Sequence, residues 1–424
     1  MKETSLKQKE IGDIPEGWEV ARLVQLTEKI SSGATPKGGK ESYSRFGISL
    51  IRSQNVLNEG FSRSGLAFID EGQAKELDNV TVISKDVLLN ITGDSVARSC
   101  MVPDNVLPAR VNQHVLVIRT KKDKLHPLWL RYFLIESKTQ QHLFSLASSG
   151  ATRQALTKGM IEELQISVPS ITEQENLTKI LFNLDAKIEL NQQMNKTLEC
   201  IAQALFKQWF VDDADPMWPI GGLGDICERI TKGTTPTTLK KSYVESGINF
   251  IKVESIDEFG NLLPDKFAHI DNDTNLMLSR SIIQENDILY TIAGTIGRIA
   301  VVNLEALPAN TNQAVAIIRL RNKSLYLSYI RLLLKTSGMS KKFKSKVVHA
   351  VQPNLSLGEI SETQVSLPEE QVLTKFNQLV NPMFLKIREN TTQINILSQI
   401  RDSLLPRLMA GKIRVNSFKG QYGM

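Results

Sequence analysis

The chain has 424 residues, of which 41% are hydrophobic and 23% charged, the make-up of a folded protein of two or three domains and not of a disordered or fibrous chain. The polar opening MKETSLKQKE and the lack of any apolar run of membrane-spanning length predict a cytoplasmic protein with no membrane partner. A net charge of +6 permits a polyanionic partner without demanding one, while three scattered cysteines (Cys100, Cys200, Cys227) and five histidines without metal-ligand spacing predict packing thiols, no disulfide framework, no metal and no cofactor.

The first distinctive stretch, ISSGATPKGGKESY (Ile30 to Tyr43), has the glycines and lysines of a phosphate-binding loop. A P-loop needs G-x-x-x-x-G-K-[ST], so that backbone N–H groups wrap a phosphate while a hydroxyl holds magnesium. Counting back from Gly39-Lys40 puts Ala34 at the first glycine and Glu41 at the hydroxyl. The stretch also recurs as ITKGTTPTTLKKSY (Ile230 to Tyr243), without Gly38 and Gly39. It is therefore a repeated loop and not a nucleotide cradle.

The repeat extends through the chain. At an offset of 200, Trp18, Gly33, Thr35, Pro36, Tyr43, Gly47 and Ile51 meet Trp218, Gly233, Thr235, Pro236, Tyr243, Gly247 and Ile251. Further on, DVLLNITG (Asp86 to Gly93) meets DILYTIAG (Asp287 to Gly294), and LPARVNQHVLVIR (Leu107 to Arg119) meets LPANTNQAVAIIR (Leu307 to Arg319). A period this long means two whole domains in tandem. Within each, short β-branched runs such as Val115 to Arg119 and Ala316 to Leu320 read as strands, and PLWLRYFLIES (Pro127 to Ser137) and LYLSYIRLLLKTS (Leu325 to Ser337) read as helices, so the expected fold class is α+β.

A longer helical pattern follows each domain. From Leu177 to Trp209, positions spaced by three and four are apolar except Asn191 and Asn195, and the second copy repeats this from Phe376 to Leu408, interrupted at Arg401. Asn191 and Asn390 match at an offset of 199, and a polar residue in such a seam fixes register at some cost in stability. The two helices are expected to pack on each other as an antiparallel coiled coil with approximate twofold symmetry, and a 33-residue helix would span about 50 Å. Pro382, inside the second pattern, could kink that helix or delay its start. The expected boundaries are 1–168 and 214–368 for the two globular domains, 169–213 for the first helix, and 369–424 for the second helix and tail.

With GWEV and SGATP opening one domain, MWPI and KGTTP the other, ISVPSITEQ and VSLPEEQ closing them, LDAKIELNQQMNKTLECIAQALFKQWFVD (Leu184 to Asp212) after the first and IRDSLLPRLMAGKI at the end, the whole chain resembles the specificity subunit of a type I restriction-modification system. The resemblance implies two target-recognition domains, each reading one half of a bipartite, asymmetric site in double-stranded DNA. It also implies helices that dock two methyltransferase subunits, and a non-catalytic role that directs adenine methylation and ATP-dependent restriction by partner methyltransferase and restriction/translocase subunits. The docking residues expected from the seam are Leu184, Ile188, Asn191, Leu198, Leu205, Ile387, Asn390, Leu397 and Leu404. The alternative is a stand-alone DNA-modifying or DNA-cleaving enzyme with scattered carboxylates, for which the repeated Asp86 and Asp287 are the candidates.

In two domains on one scaffold, side chains that differ inside matching frames are candidates for base reading, with Arg or Lys favouring guanine and Asn or Gln adenine. Arg52, Gln54 and Asn55 stand against Lys252, and Lys37 and Lys40 against Thr237 and Lys240. Arg153 and Gln154 stand near Gln352 and Asn354 where ATRQAL faces AVQPNL, while Arg98 and Arg298, after the shared glycine, are expected on phosphate. The identical pairs Asn112-Gln113 and Asn312-Gln313 read as structural, since they cannot distinguish two different half-sites.

Overall fold

The computed structural model describes residues 15–148, 154–347 and 354–414. Contacts divide the chain into two compact units, residues up to Leu190 together with those from Gln393 onward, and Asn191 to Thr392. Both cuts fall inside long helices, so each unit holds one globular α+β domain and a part of each helix.

In the first unit, Thr27–Ser32, Val115–Thr120, Val87–Asn90 and Ser99–Met101 form an antiparallel sheet in that order. A second sheet holds Ala67–Ile69, Ile48–Ile51, Ala109–Val111 and Thr81–Val82, with Ile48–Ile51 parallel to Ala109–Val111. The second unit repeats the first sheet with Cys227–Lys232, Val315–Leu320, Ile288–Thr291 and Ile299–Val301, and the second with Ala268–Ile270, Ile248–Ile251 and Ala309–Thr311. The runs expected as strands are strands. Val115–Ile118 and Val315–Ile318 are wholly buried because core packs on both faces of these central strands.

Helix α1 (Pro127–Ile135) begins with proline at its first turn, where a missing N–H costs nothing. It ends at Glu136, and Ser137–Ser148 forms a separate helix. Its fully buried Trp129 meets Trp18 edge-on, with ring centroids 5.4 Å apart. Asp86 is buried and receives two hydrogen bonds of 2.8 Å from Arg119, and Asp287 is held in the same way by Arg319. The repeated acid is thus committed to a core ion pair. Cys100 and Cys227 are buried, and burial pushes each thiol up to about 12. Cys200 is exposed on a helix, so the expectation of three packing thiols fails for that residue.

The long helices are α2 (Ile171–Lys207, 37 residues) and α4 (Glu370–Met409, 40 residues); between them lies α3 (Lys323–Lys335), the counterpart of α1. The α4 helix starts before Pro382 and runs on through it, so the proline does not delay the start. In the first unit Asp185 pairs with Arg401 and Glu173 with Arg414. In the second, Asn195 bonds Asn390 while Phe206 packs on Phe376. In both units one helix ascends as the other descends, which is antiparallel packing. Asn390 is 2% exposed and donates to Asn195 Oδ1 at 2.9 Å, so the residue it meets in the seam is Asn195, one turn from Asn191, its match at an offset of 199. No helix among the described residues is long and apolar enough to cross a membrane.

Candidate DNA-recognition edges

Each domain presents an edge built around the repeated loop. Gly33 and Gly233 lie so close to the neighbouring strand that a Cβ would fall 1.9 Å from the Val111 carbonyl oxygen and 1.6 Å from that of Thr311. Only glycine allows that approach. Next to them, the Thr35 hydroxyl donates to Gln113 Oε1, and Gln313 Oε1 accepts from the backbone N–H of Thr235 at 3.2 Å and from its hydroxyl. Asn112 and Asn312 accept from the backbone N–H two residues on. These identical pairs anchor the loop in both copies.

In the first domain the anchor continues into a polar chain. Gln113 lies 3.0 Å from His114 Nε2, and His114 Nδ1 lies 2.6 Å from the Thr92 hydroxyl. Beyond Thr92, the backbone N–H of Gly93 donates to the carbonyl of Gln154 at 3.2 Å. The opening loop, residues 92–98 and Gln154 therefore share one edge, with Gln154 exposed. In the second domain Asn354 is exposed and bridges Ala293 next to Gly294, the matching place. Arg153 and Gln352 lie outside the described residues, as does the side chain of Lys40. Lys37 is exposed and 3.4 Å from Glu76; Lys240 is exposed in a left-handed turn, at φ 56°.

Arg52 and Lys252 hold equivalent places, each over the ring of the matching tyrosine: Arg52 5.2 Å from the Tyr43 centroid, Lys252 5.7 Å from that of Tyr243. A ring face attracts a cation and holds it in place. Arg52 and the exposed Gln54 also donate to the Gly65 carbonyl, and Lys252 pairs with Glu254 at 2.7 Å. Asn55, expected to read a base, is instead fully buried. Its amide donates to the carbonyls of Ser62 and Ser64 and its oxygen accepts from Arg52 N, so it pins the loop that carries Arg52.

Arg98 and Arg298 differ in a way their shared position does not reveal. Arg298 donates to the carbonyls of Ile256 at 2.6 Å and Val253 at 3.4 Å. The matching carbonyls in the first domain, Val56 and Ser53, are taken by the Asn90 amide. Arg98 is left exposed, whereas Arg298 is half-buried and committed to its own domain, which corrects its assignment to phosphate. His114, which stands against Ala314, was missed as a candidate, although it differs inside a matching frame and met the same criterion as Arg52.

The expected docking residues need a similar correction. Ile188, Asn191 and Asn390 are buried, and Leu184, Leu198, Leu205, Ile387, Leu397 and Leu404 are half-buried. Leu205 and Leu404 pack against the cores of their own units. Part of the seam is thus spent within each unit, and the exposed apolar side chains on α2 and α4 are others, among them Phe182, Ile201, Leu379, Leu385, Ile396 and Ile400.

The profile of the type I restriction modification DNA specificity domain matches residues 15–200 and again 217–395. The chain belongs to this family. It is 27% identical to the type I restriction enzyme MjaIX specificity subunit of Methanocaldococcus jannaschii, covering 97% of each chain. It is 23% identical to the HindI specificity subunit of Haemophilus influenzae, covering 86% of this chain and 94% of that one. Among solved structures it is similar to the type I restriction-modification S subunit from M. genitalium, with a TM-score of 0.59 at 15% identity over 94% of this chain and 98% of that one. This specificity subunit therefore serves DNA sequence recognition, and its two matched segments are the duplicated halves read from the sequence.

Proposed function

We propose that each globular domain reads its own half of a bipartite, asymmetric sequence in double-stranded DNA, using the edge that carries the opening loop. The observation that carries this reading is the pair Arg52 on Tyr43 and Lys252 on Tyr243: one scaffold holds two different cations at equivalent places. Such side chains can separate base edges, while Lys37, Arg98 and Lys240 suit phosphate. Gln54, Gln154 and Asn354, all exposed, have the amides that suit adenine.

The subunit itself is non-catalytic in this reading and places two methyltransferase subunits and restriction/translocase subunits on the chosen site. Docking runs through the outward apolar side chains of α2 and α4, not through their seam. The test is binding of the assembled methyltransferase complex to duplexes carrying every single-base change of its methylated motif. Arg52→Ala should relax discrimination at one position of one half-site by about 1–3 kcal/mol. Equal weakening on every duplex would move Arg52 to the backbone and remove it from base reading.

A further inference from the structure

Resting on the reading that each domain meets DNA with the edge of its opening loop, we propose that His114 is a positioning residue for base reading in the first domain. It fixes the direction of Gln113 and Thr92, so that this edge offers DNA hydrogen-bond donors where the second domain offers the amide of Asn354.

The direction of Gln113 follows from its counterpart. The backbone N–H of Thr235 can only donate, and it meets Gln313 Oε1 at 3.2 Å, so that amide turns its oxygen to the loop. Gln113 takes the same turn, its Oε1 accepting from the Thr35 hydroxyl. Its Nε2 therefore faces His114 Nε2, 3.0 Å away. An amide nitrogen has only hydrogens to offer, so this ring nitrogen must accept, and the imidazole proton sits on Nδ1. There it donates to the Thr92 hydroxyl oxygen at 2.6 Å. Thr92, having accepted, keeps its own hydrogen to donate, and Gln113 keeps its second N–H; neither hydrogen has a partner among the described residues. Gln113 is exposed and Thr92 half-buried, so both belong to the surface of the edge.

The second domain lacks this arrangement although its backbone is the same. Ile91 N donates to His114 O at 3.0 Å and Leu156 N to Ile91 O at 2.8 Å, and Ile292, Ala314 and Leu355 repeat both bonds at 2.8 and 2.9 Å. Thr92 bridges Ala155 as Ala293 bridges Asn354. In that frame Thr92, His114 and Ala155 stand where the second domain has Ala293, Ala314 and Asn354. The bonded pair is replaced as a pair, and a polar side chain enters from the third position instead. Local stability alone accounts for a bonded pair, but not for the exposed amide that appears where the pair is lost. Donors alone suit guanine, whose major-groove edge carries only acceptors, whereas an amide, which donates and accepts, suits adenine.

The test measures binding of the assembled methyltransferase complex to duplexes carrying every single-base change of its methylated motif. His114→Ala should lower discrimination at one guanine of the first half-site by about five- to hundredfold and leave the second half-site as it was. Thr92→Ala with His114→Ala and Ala155→Asn, which copies the second domain, should turn the preference at that position towards adenine. A second readout is the imidazole nitrogen chemical shifts of the full chain with labelled histidine, at about pH 8, above the ordinary histidine titration. His114 should carry its proton on Nδ1, and Gln113→Ala should abolish that preference, which a merely space-filling histidine would not show. A proton on Nε2 would overturn the proposal. So would equal weakening on every duplex in His114→Ala, or unchanged base preferences in that variant while Arg52→Ala relaxes its own position. If neither variant alters any base preference, the reading of the edge falls with it.

Discussion

Asp185 accepts a 2.6 Å hydrogen bond from Arg131, and the same carboxylate takes 2.8 Å from the Tyr132 hydroxyl and 3.0 Å from Arg401. One acid thereby joins the first globular domain to both long helices of its unit. In the second unit Arg331 occupies the place of Arg131, but Phe384 occupies that of Asp185, and its ring lies 3.9 Å from the guanidinium. The charge partner there is Glu199, on α2, which also pairs with Lys335 at 2.8 Å. The two units reach the same end, a neutralised buried arginine, with acids from non-matching positions.

Removing that acid should be costly. Burial opposes ionisation of Asp185, yet Arg131, with hydrogen bonds from Arg131, Tyr132 and Arg401, holds its carboxyl below the usual range. A depressed folded value stabilises above the unfolded pKa of about 4 and is lost as pH falls through the folded value. Asp185→Asn should cost about 3 kcal/mol at neutral pH by urea unfolding. The gap to the parent chain should narrow below about pH 4, and a gap that stays constant through that range would refute the linkage.

Arg98→Ala and Arg298→Ala should part company. The first removes an exposed cation, so it should lower the salt slope of DNA binding by about one unit and leave unfolding unchanged. The second strands two carbonyls, so it should cost about 1–3 kcal/mol of stability with little change in salt slope. Matching behaviour of the two variants would contradict the Asn90 substitution seen in the first domain.

Gly33→Ala and Gly233→Ala should each destabilise by more than about 2 kcal/mol, because the new methyl must push a strand carbonyl aside. Thermal unfolding measures this. A loss of DNA binding at full stability would instead make the loop a contact surface and not a packed anchor.

If the helices set the spacing between half-sites, four residues inserted after Gln193 would add about 6 Å of rise and roughly one turn. Sequencing of methylated adenines should then show a gap longer by about two base pairs, at 3.4 Å per step. A motif with its original gap would separate spacing from helix length.

Much of this protein is legible in its sequence. Duplication, α+β class, the strands around Val115 and Val315, and asparagines buried in a helical seam all follow from period and internal matching, because burial patterns along one element are local properties of the chain. What only the tertiary structure decided is which side chains remain free. Arg98 and Arg298 share a frame, but one is released because Asn90 takes the carbonyls of Ser53 and Val56, 37 and 34 residues away. Asn55 looked like a reader and is a buried pin. Arg401 broke an apolar pattern and found its carboxylate 216 residues earlier, at Asp185. A polar residue's role depends on which donors and acceptors folding brings within about 3 Å of it, and neighbours that distant in sequence leave no periodic trace.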